Sequence, residues 1–182
     1  MVERIAEIVV LGEDLRQGNF VRHYLKRDGH NPRNIRLEIS PEGYGSGEQF
    51  VRERYPEEVK YYRNRSSHRQ AALAAAIDAD TGSVADRDQQ LEEALKKAGE
   101  VKRKKSERIA LLIPKRHIET WILCLAGEKV NETAKYKSAS DVDRLIKEAA
   151  ENFYQWSRPG YRRPARCVPS LSRGLKEIRR IG

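Results

Sequence analysis

Apolar positions along the chain fall into four short runs, separated by stretches of helical period. Ile5-Ala6-Glu7-Ile8-Val9-Val10-Leu11 is a β-branched run stopping at Gly12, which predicts a buried strand ending in a turn. Leu15, Phe20, Val21, Tyr24 and Leu25 then recur on one face of a helix that Asp14 can cap and Asp28-Gly29 ends. Asn34 to Ser40 alternates at period two and predicts a second strand, nearer a sheet edge. The glycine-rich stretch Pro41 to Gly47 leads into a second helix, Gln49 to about Arg65, with Ser46 as cap and a kink expected at Pro56.

Ala71 to Ile77 reads as a third strand, although its alanines leave helix open. It runs into Asp78-Ala79-Asp80-Thr81-Gly82-Ser83, after which a polar helix is expected from Val84 to Ala98. Lys102-Arg103-Lys104-Lys105 reads as a solvated loop, Ile109 to Ile113 as a fourth strand closed by Pro114, and Ile118 to Leu125 as an apolar helix. Strands alternating with helices predict an α/β domain over residues 1–127: a mainly parallel sheet of about four strands, helices on both faces. Residues 128–182 depart from that rhythm. Asp141 to Trp156 is an amphipathic helix with Ser140 as cap, Ser157 to Pro169 is loop-like, and Leu171 to Ile181 is a short basic helix. A basic helical extension packed on the domain is expected there.

A chain of 182 residues suits one ordinary domain, and 38 % apolar residues beside 35 % charged ones exclude a disordered tail. The longest apolar run, Ala71 to Ile77, is far short of the roughly 18 residues that cross a bilayer. With no signal-like apolar stretch after Met1, a cytoplasmic protein is expected. Cys124 and Cys167 are too few for a four-ligand zinc site and require no disulfide.

Charge changes the picture more than composition does. The net +9 is all C-terminal: residues 101–182 hold 20 Lys and Arg against 9 Asp and Glu, whereas residues 1–100 hold 16 against 18. Such an asymmetry points to a polyanionic partner held mainly by one end, the alternative being a solubilising basic surface.

Open parallel sheets place their chemistry beyond the carboxyl ends of the strands, which singles out particular acids. Glu13 follows the first strand by one glycine, Asp78 and Asp80 end the third, and Glu119 opens the helix after the fourth. Carboxylates converging at one edge repel one another unless a cation joins them, and hard oxygen ligands select Mg²⁺ or Mn²⁺. Asp-x-Asp in extended backbone directs both side chains to one side, although Asp-Ala-Asp-Thr-Gly also makes a sound turn. Glu119 is equally explained by the helix dipole, as are Asp86 and Asp88; His117 could meet a phosphate or simply begin a helix. Gly43-Tyr44-Gly45-Ser46-Gly47 lacks the ending of a P-loop and reads as a loop near the site.

Leu11-Gly12-Glu13-Asp14 after a first strand, a helix, and then an apolar strand ending Asp78-Ala79-Asp80 resembles the TOPRIM domain of topoisomerases, primases and OLD-family nucleases. Ile113-Pro114-Lys115-Arg116-His117-Ile118-Glu119-Thr120-Trp121-Ile122-Leu123 is similar to the Pro…Glu-x-Trp-Leu-Leu segment of small standalone TOPRIM-like proteins, some found among bacterial anti-phage genes. The resemblance covers about Ile5 to Leu125; it departs at Leu125, where the family segment often has Asp, and at Gly-Glu-Asp in place of Glu-Gly. It implies Glu13 as general acid or base and Asp78 and Asp80 as a magnesium pair; beside them Glu119 is placed as an added ligand or as a partner that orients the ligands, and His117 as a catalytic candidate that donates to a phosphate or serves as base. A metal-dependent nuclease is the expected function. A non-catalytic TOPRIM-like binding or regulatory subunit beside an ATPase partner is the alternative. Asp78-x-Asp80-Thr81-Gly82 also resembles the first motif of haloacid-dehalogenase-like phosphatases, but strand four ends in Pro114 where that fold needs Ser or Thr at a later strand end.

From Arg158 to Gly182, eight basic residues face the single acid Glu177. Arg158, Arg162, Arg163, Arg166, Arg173, Arg179 and Arg180, interleaved with or close to Tyr154, Trp156 and Tyr161, suit phosphate contacts with base stacking. Helices packed on the sheet with snorkelling arginine stems are the competing reading, and a homodimer is left open.

Overall fold

The computed structural model describes residues 5–136 and 141–182. Strands β1 (Glu7–Gly12), β2 (Ile35–Ile39), β3 (Ala71–Ala76) and β4 (Ile109–Leu112) form an all-parallel sheet in the order β2-β1-β3-β4. Period-two side chains divide the strands between two cores. Ile8, Val10, Ala72, Ala74, Ala110 and Leu112 enter one; Val9, Leu11, Leu73, Ala75, Ile109 and Leu111 enter the other. Every residue of β3 is buried, so its alanines serve as the thin middle of a three-layer stack, and the helical alternative for this run does not occur.

The helices are α1 (Leu15–Arg27), α2 (Gly47–Ser66), α3 (Val84–Lys97), α4 (Ile118–Leu125), α5 (Val142–Ser157) and α6 (Pro169–Ile178). Side chains of α1, α4, α5 and α6 fill the first core and those of α2 and α3 the second. In the first core Phe153 of α5 packs its ring 5.1 Å from Phe20 and 5.3 Å from Tyr24 of α1. The C-terminal helices therefore share the main core of the sheet.

Start signals work locally as expected. Asp14 Oδ1 accepts the Gln17 N–H at 2.9 Å, Ser46 Oγ accepts that of Gln49, and Ser83 with Asp86 forms a reciprocal capping box. Asp86 thus acts at a helix start, and its Ser83 hydrogen bonds hold its carboxyl below the usual range. Pro56 lies buried inside α2. The cap expected at Ser140 falls outside the described residues.

The order β2-β1-β3-β4 positions the site. The β1-α1-β2 crossover covers one face and the β2-α2-β3 crossover the other, so the chain reverses direction across the sheet between β1 and β3. Such a switch point opens a crevice beyond the carboxyl ends of the two strands. At the far edge, β4 is sealed by side chains: Leu111 N–H donates to Glu177 Oε2 at 2.9 Å, and Arg103 Nη1 donates to the Ile109 carbonyl at 2.7 Å. Among the described residues no helix is long and apolar enough to cross a membrane.

Candidate functional site

Glu13 leaves β1 directly after Gly12, and its carboxylate reaches across the switch point. Its Oε1 accepts the Asp78 N–H at 2.5 Å, joining the end of β1 to the end of β3. Gln17, fully buried one turn into α1, braces both acids: its Oε1 accepts the Glu13 N–H at 2.9 Å, and its Nε2 donates to Asp78 Oδ1 at 2.9 Å. Gly47, the first residue of α2, packs so closely on Glu13 that a Cβ there would stand 2.8 Å from the Glu13 carbonyl oxygen.

His117 comes from the turn before α4. Its Nδ1 lies 3.5 Å from Asp78 Oδ2 and 3.2 Å from Asp80 Oδ1, so one buried imidazole spans the aspartate pair. Asp78 is buried, whereas the Asp80 side chain is 41 % exposed, which makes it the member of the group that meets solvent. Asp80 has φ +51°, a left-handed conformation adopted by no other described non-glycine residue. Its N–H donates to the Arg116 carbonyl at 3.2 Å, which ties the turn to the segment leading into α4.

Asp80 opens onto a cleft of about 440 Å³. Thr81, Gly82 and Ser83 line one part of it; Ser46, Glu48 and Arg87 line another. Arg87 donates through Nε to the Asp78 carbonyl at 3.0 Å and also bonds Glu48. Burial pushes the Glu48 carboxyl up, but bonds and charge from Arg52 and Arg87 outweigh it and hold the group below the usual range. The part of the cleft wall that Glu48 and Arg87 form is therefore charged at neutral pH.

Glu119 is engaged differently. Its Oε1 accepts from Arg16 Nη1 at 2.5 Å, and Arg16 Nε donates to Asp143 Oδ1 at 2.7 Å. Hydrogen bonding to Asp143, with Glu119 adding to it against the effect of burial, raises the guanidinium pKa further. The second Glu119 oxygen is buried with no hydrogen-bond partner among the described residues. Arg16 thus turns Glu119 into a link between α1, α4 and α5.

Among the described residues no three His, Cys, Asp or Glu side chains are grouped to hold a metal ion by themselves. Asp80 nevertheless offers a hard oxygen donor on the cleft, with the carboxylate of Asp78 buried behind it. Mg²⁺ commonly binds one or two carboxylates and completes its shell with water and substrate phosphate. This donor set fits an ion held jointly by protein and substrate.

The C-terminal arginines are engaged within the fold. Arg158 bonds Asp28 at 3.2 Å, Arg163 bonds Ser172, and Arg166 donates to the Cys124 carbonyl while lying over the Trp156 ring. Arg173 pairs with Asp88 at 2.8 Å, Arg179 donates to the Ser157 carbonyl at 2.5 Å, and Arg180 donates to the Lys104 carbonyl. Arg162 is exposed and has no acceptor among the described residues.

Gln17, Arg87 and Arg16 were not singled out by sequence reasoning, and Gly47 only as the last residue of a loop near the site. Two of them carried a signal: Gln17 stands on the apolar side of α1, and Arg87 interrupts the Val84, Leu91, Leu95 stripe of α3. No family model, curated protein or solved structure matches the chain.

Proposed function

We propose that the chain is a TOPRIM-like, Mg²⁺- or Mn²⁺-dependent phosphodiester hydrolase acting on nucleic acid. The observation that carries this reading is the meeting of Glu13, Asp78, Asp80 and His117 at the switch point between β1 and β3. Asp78 and Asp80 would hold the ion, which when bound neutralises charge developing on a scissile phosphate and activates water. His117 fixes the orientation of both aspartates from behind. Gln17 fixes Asp78 and the Glu13 backbone, so that Glu13 is presented at a constant position as general acid or base. Arg87 holds the Asp78 main chain and supplies a cation on the cleft wall.

Purified protein incubated with plasmid, single-stranded DNA and structured RNA tests the reading. Cleavage is expected with Mg²⁺ or Mn²⁺, none with EDTA, and none from Asp80→Ala under conditions where nucleic acid still binds. Equal cleavage by Asp80→Ala refutes it.

A second reading is a non-catalytic TOPRIM-like binding or regulatory subunit working beside an ATPase. The burial of Asp78, with Oδ1 bonded to Gln17 and Oδ2 facing His117, favours it. This reading requires that Asp78→Asn and Asp80→Asn leave divalent-ion binding unchanged.

A further inference from the structure

A second recess, of about 640 Å³, runs between α1 and α5 and shares no lining residue with the cleft at Asp80. Lys26 and Arg27 of α1 and Arg144 and Lys147 of α5 line it around His23. The groove's two acids, Glu148 and Glu151, are outnumbered by its four cations, Lys26, Arg27, Arg144 and Lys147. Glu151 is occupied by Arg27 at 2.6 Å and Gln155 at 3.0 Å, and Arg144 meets only the exposed Asp141, at 3.3 Å. Among the described residues Lys26, Lys147 and the adjacent Arg22 have no ion-pair partner. Burial and then the nearby charges of Lys26, Lys147 and Arg22 hold the His23 pKa below its ordinary value, which places cations of both helices around one ring.

Like charges brought together from two helices repel, and the packing of Phe20 and Tyr24 on Phe153 holds them there. A ligand carrying regularly spaced negative charge removes that repulsion. The groove carries cations at both ends of α5: Arg144 and Lys147 stand at one, and at the other the Tyr154 ring carries Arg27 at 4.6 Å and Arg158 at 4.4 Å, with the acid Glu151 between them. From Arg144 to Tyr154 the helix rises about 15 Å, the axial length of about four phosphates on one duplex strand. The Arg144 end follows Asp143, which binds Arg16, a residue of the first turn of α1 just after Glu13. None of the large apolar residues that are exposed, Leu15, Tyr44, Val101 and Tyr161, lines the groove, so a bilayer would find nothing to bury.

We infer that the α1/α5 groove is a docking track for the sugar-phosphate backbone of nucleic acid, with Lys26, Arg144 and Lys147 as its phosphate contacts. The inference rests on nucleic acid being the partner and is independent of catalysis. It moves the binding surface from the C-terminal arginines, most of them bonded within the fold, to a groove whose Lys26 and Lys147 have no ion-pair partner among the described residues.

Fluorescence anisotropy with a short labelled DNA, single-stranded and duplex, in EDTA at varied salt, tests it. Lys26→Glu/Lys147→Glu is expected to weaken binding about tenfold or more and to lower the salt slope by about two. Lys26→Gln/Lys147→Gln gives a smaller loss, Arg162→Glu leaves binding within about twofold, and all melt as the wild type does. Wild-type affinity and slope in the double variant overturn the inference. So do an equal loss in Arg162→Glu, a wild type without salt-dependent DNA binding, and tighter lysine-dependent binding to phosphatidylglycerol vesicles. Cleavage that persists without groove-dependent binding removes the track and leaves the hydrolase reading. Groove-dependent binding without cleavage removes only the hydrolase reading.

Discussion

The switch point between β1 and β3 and the C-terminal helices both concentrate charge, and they use it in opposite ways. At the switch point, the acids behind the cleft are held by neutral or backbone partners, Glu13 by a main-chain N–H and Asp78 by the Gln17 amide, while Asp80 is 41 % exposed on the cleft with Arg87 4.0 Å away. In the C-terminal region, charged side chains satisfy one another and the main chain. Arg103 and Glu177 cap the open edge of β4, Arg173 pairs with Asp88, and Arg179 takes a carbonyl. Local charge density alone does not distinguish a surface built for a ligand from one built to close a fold. The identity of the partner does, which is why the weakly compensated α1/α5 groove is the better place for a polyanion than the more basic C-terminal segment.

The comparison breaks first at Gly174. A Cβ there would stand 2.3 Å from the ring of fully buried Trp121, so Gly174→Ala should lower the free energy of urea unfolding by about 3 kcal/mol. If the C-terminal helices were a loose appendage, that substitution would leave the transition of the α/β core unchanged. Glu177→Gln should cost about 2 kcal/mol, since the Leu111 N–H and Arg103 lose a charged acceptor. Burial raises the Glu177 carboxyl pKa, but Arg103 and the Leu111 N–H outweigh burial and leave it below its ordinary 4.5. A carboxyl depressed in the folded state stabilises above its unfolded pKa and loses that contribution as pH falls through the folded one. The wild-type advantage over Glu177→Gln should therefore be complete above about pH 4.5 and shrink on further acidification, as acid-unfolding curves would show. Asp80→Gly sharpens the contrast with the opposite sign. Relief of the left-handed backbone should add about 1 kcal/mol to stability while cleavage is lost; reduced stability would mean that the turn is held by the side chain.

Most of the architecture was readable because β1, β3 and β4 are short apolar runs closed by Gly, Asp or Pro, β2 alternates at period two, and each early helix begins at a side-chain cap. β3 needed tertiary context. Its alanines satisfy helix and strand alike, and only burial between two helical layers decides for the strand. Glu13, Asp78 and Asp80 stood out because parallel strands leave their ends at one edge. What holds them was less legible: Gln17 and Arg87 show only as polar residues on apolar helix stripes, and the bond of Gln17 to Asp78 and the packing of Gly47 on Glu13 join segments far apart in the chain. The basic C-terminal segment was visible as charge, whereas its internal partners Asp28, Asp88 and the β4 edge were not, being set by the packing of α5 and α6.

The account turns on whether Asp78 and Asp80 hold a divalent ion at the switch point. Paramagnetic resonance of Mn²⁺ titrated with protein measures this directly, because bound ion leaves the free signal. One site is predicted for the wild type, tightened by a non-cleavable phosphodiester strand and lost in Asp80→Asn; equal Mn²⁺ binding by wild type and Asp80→Asn would contradict the account.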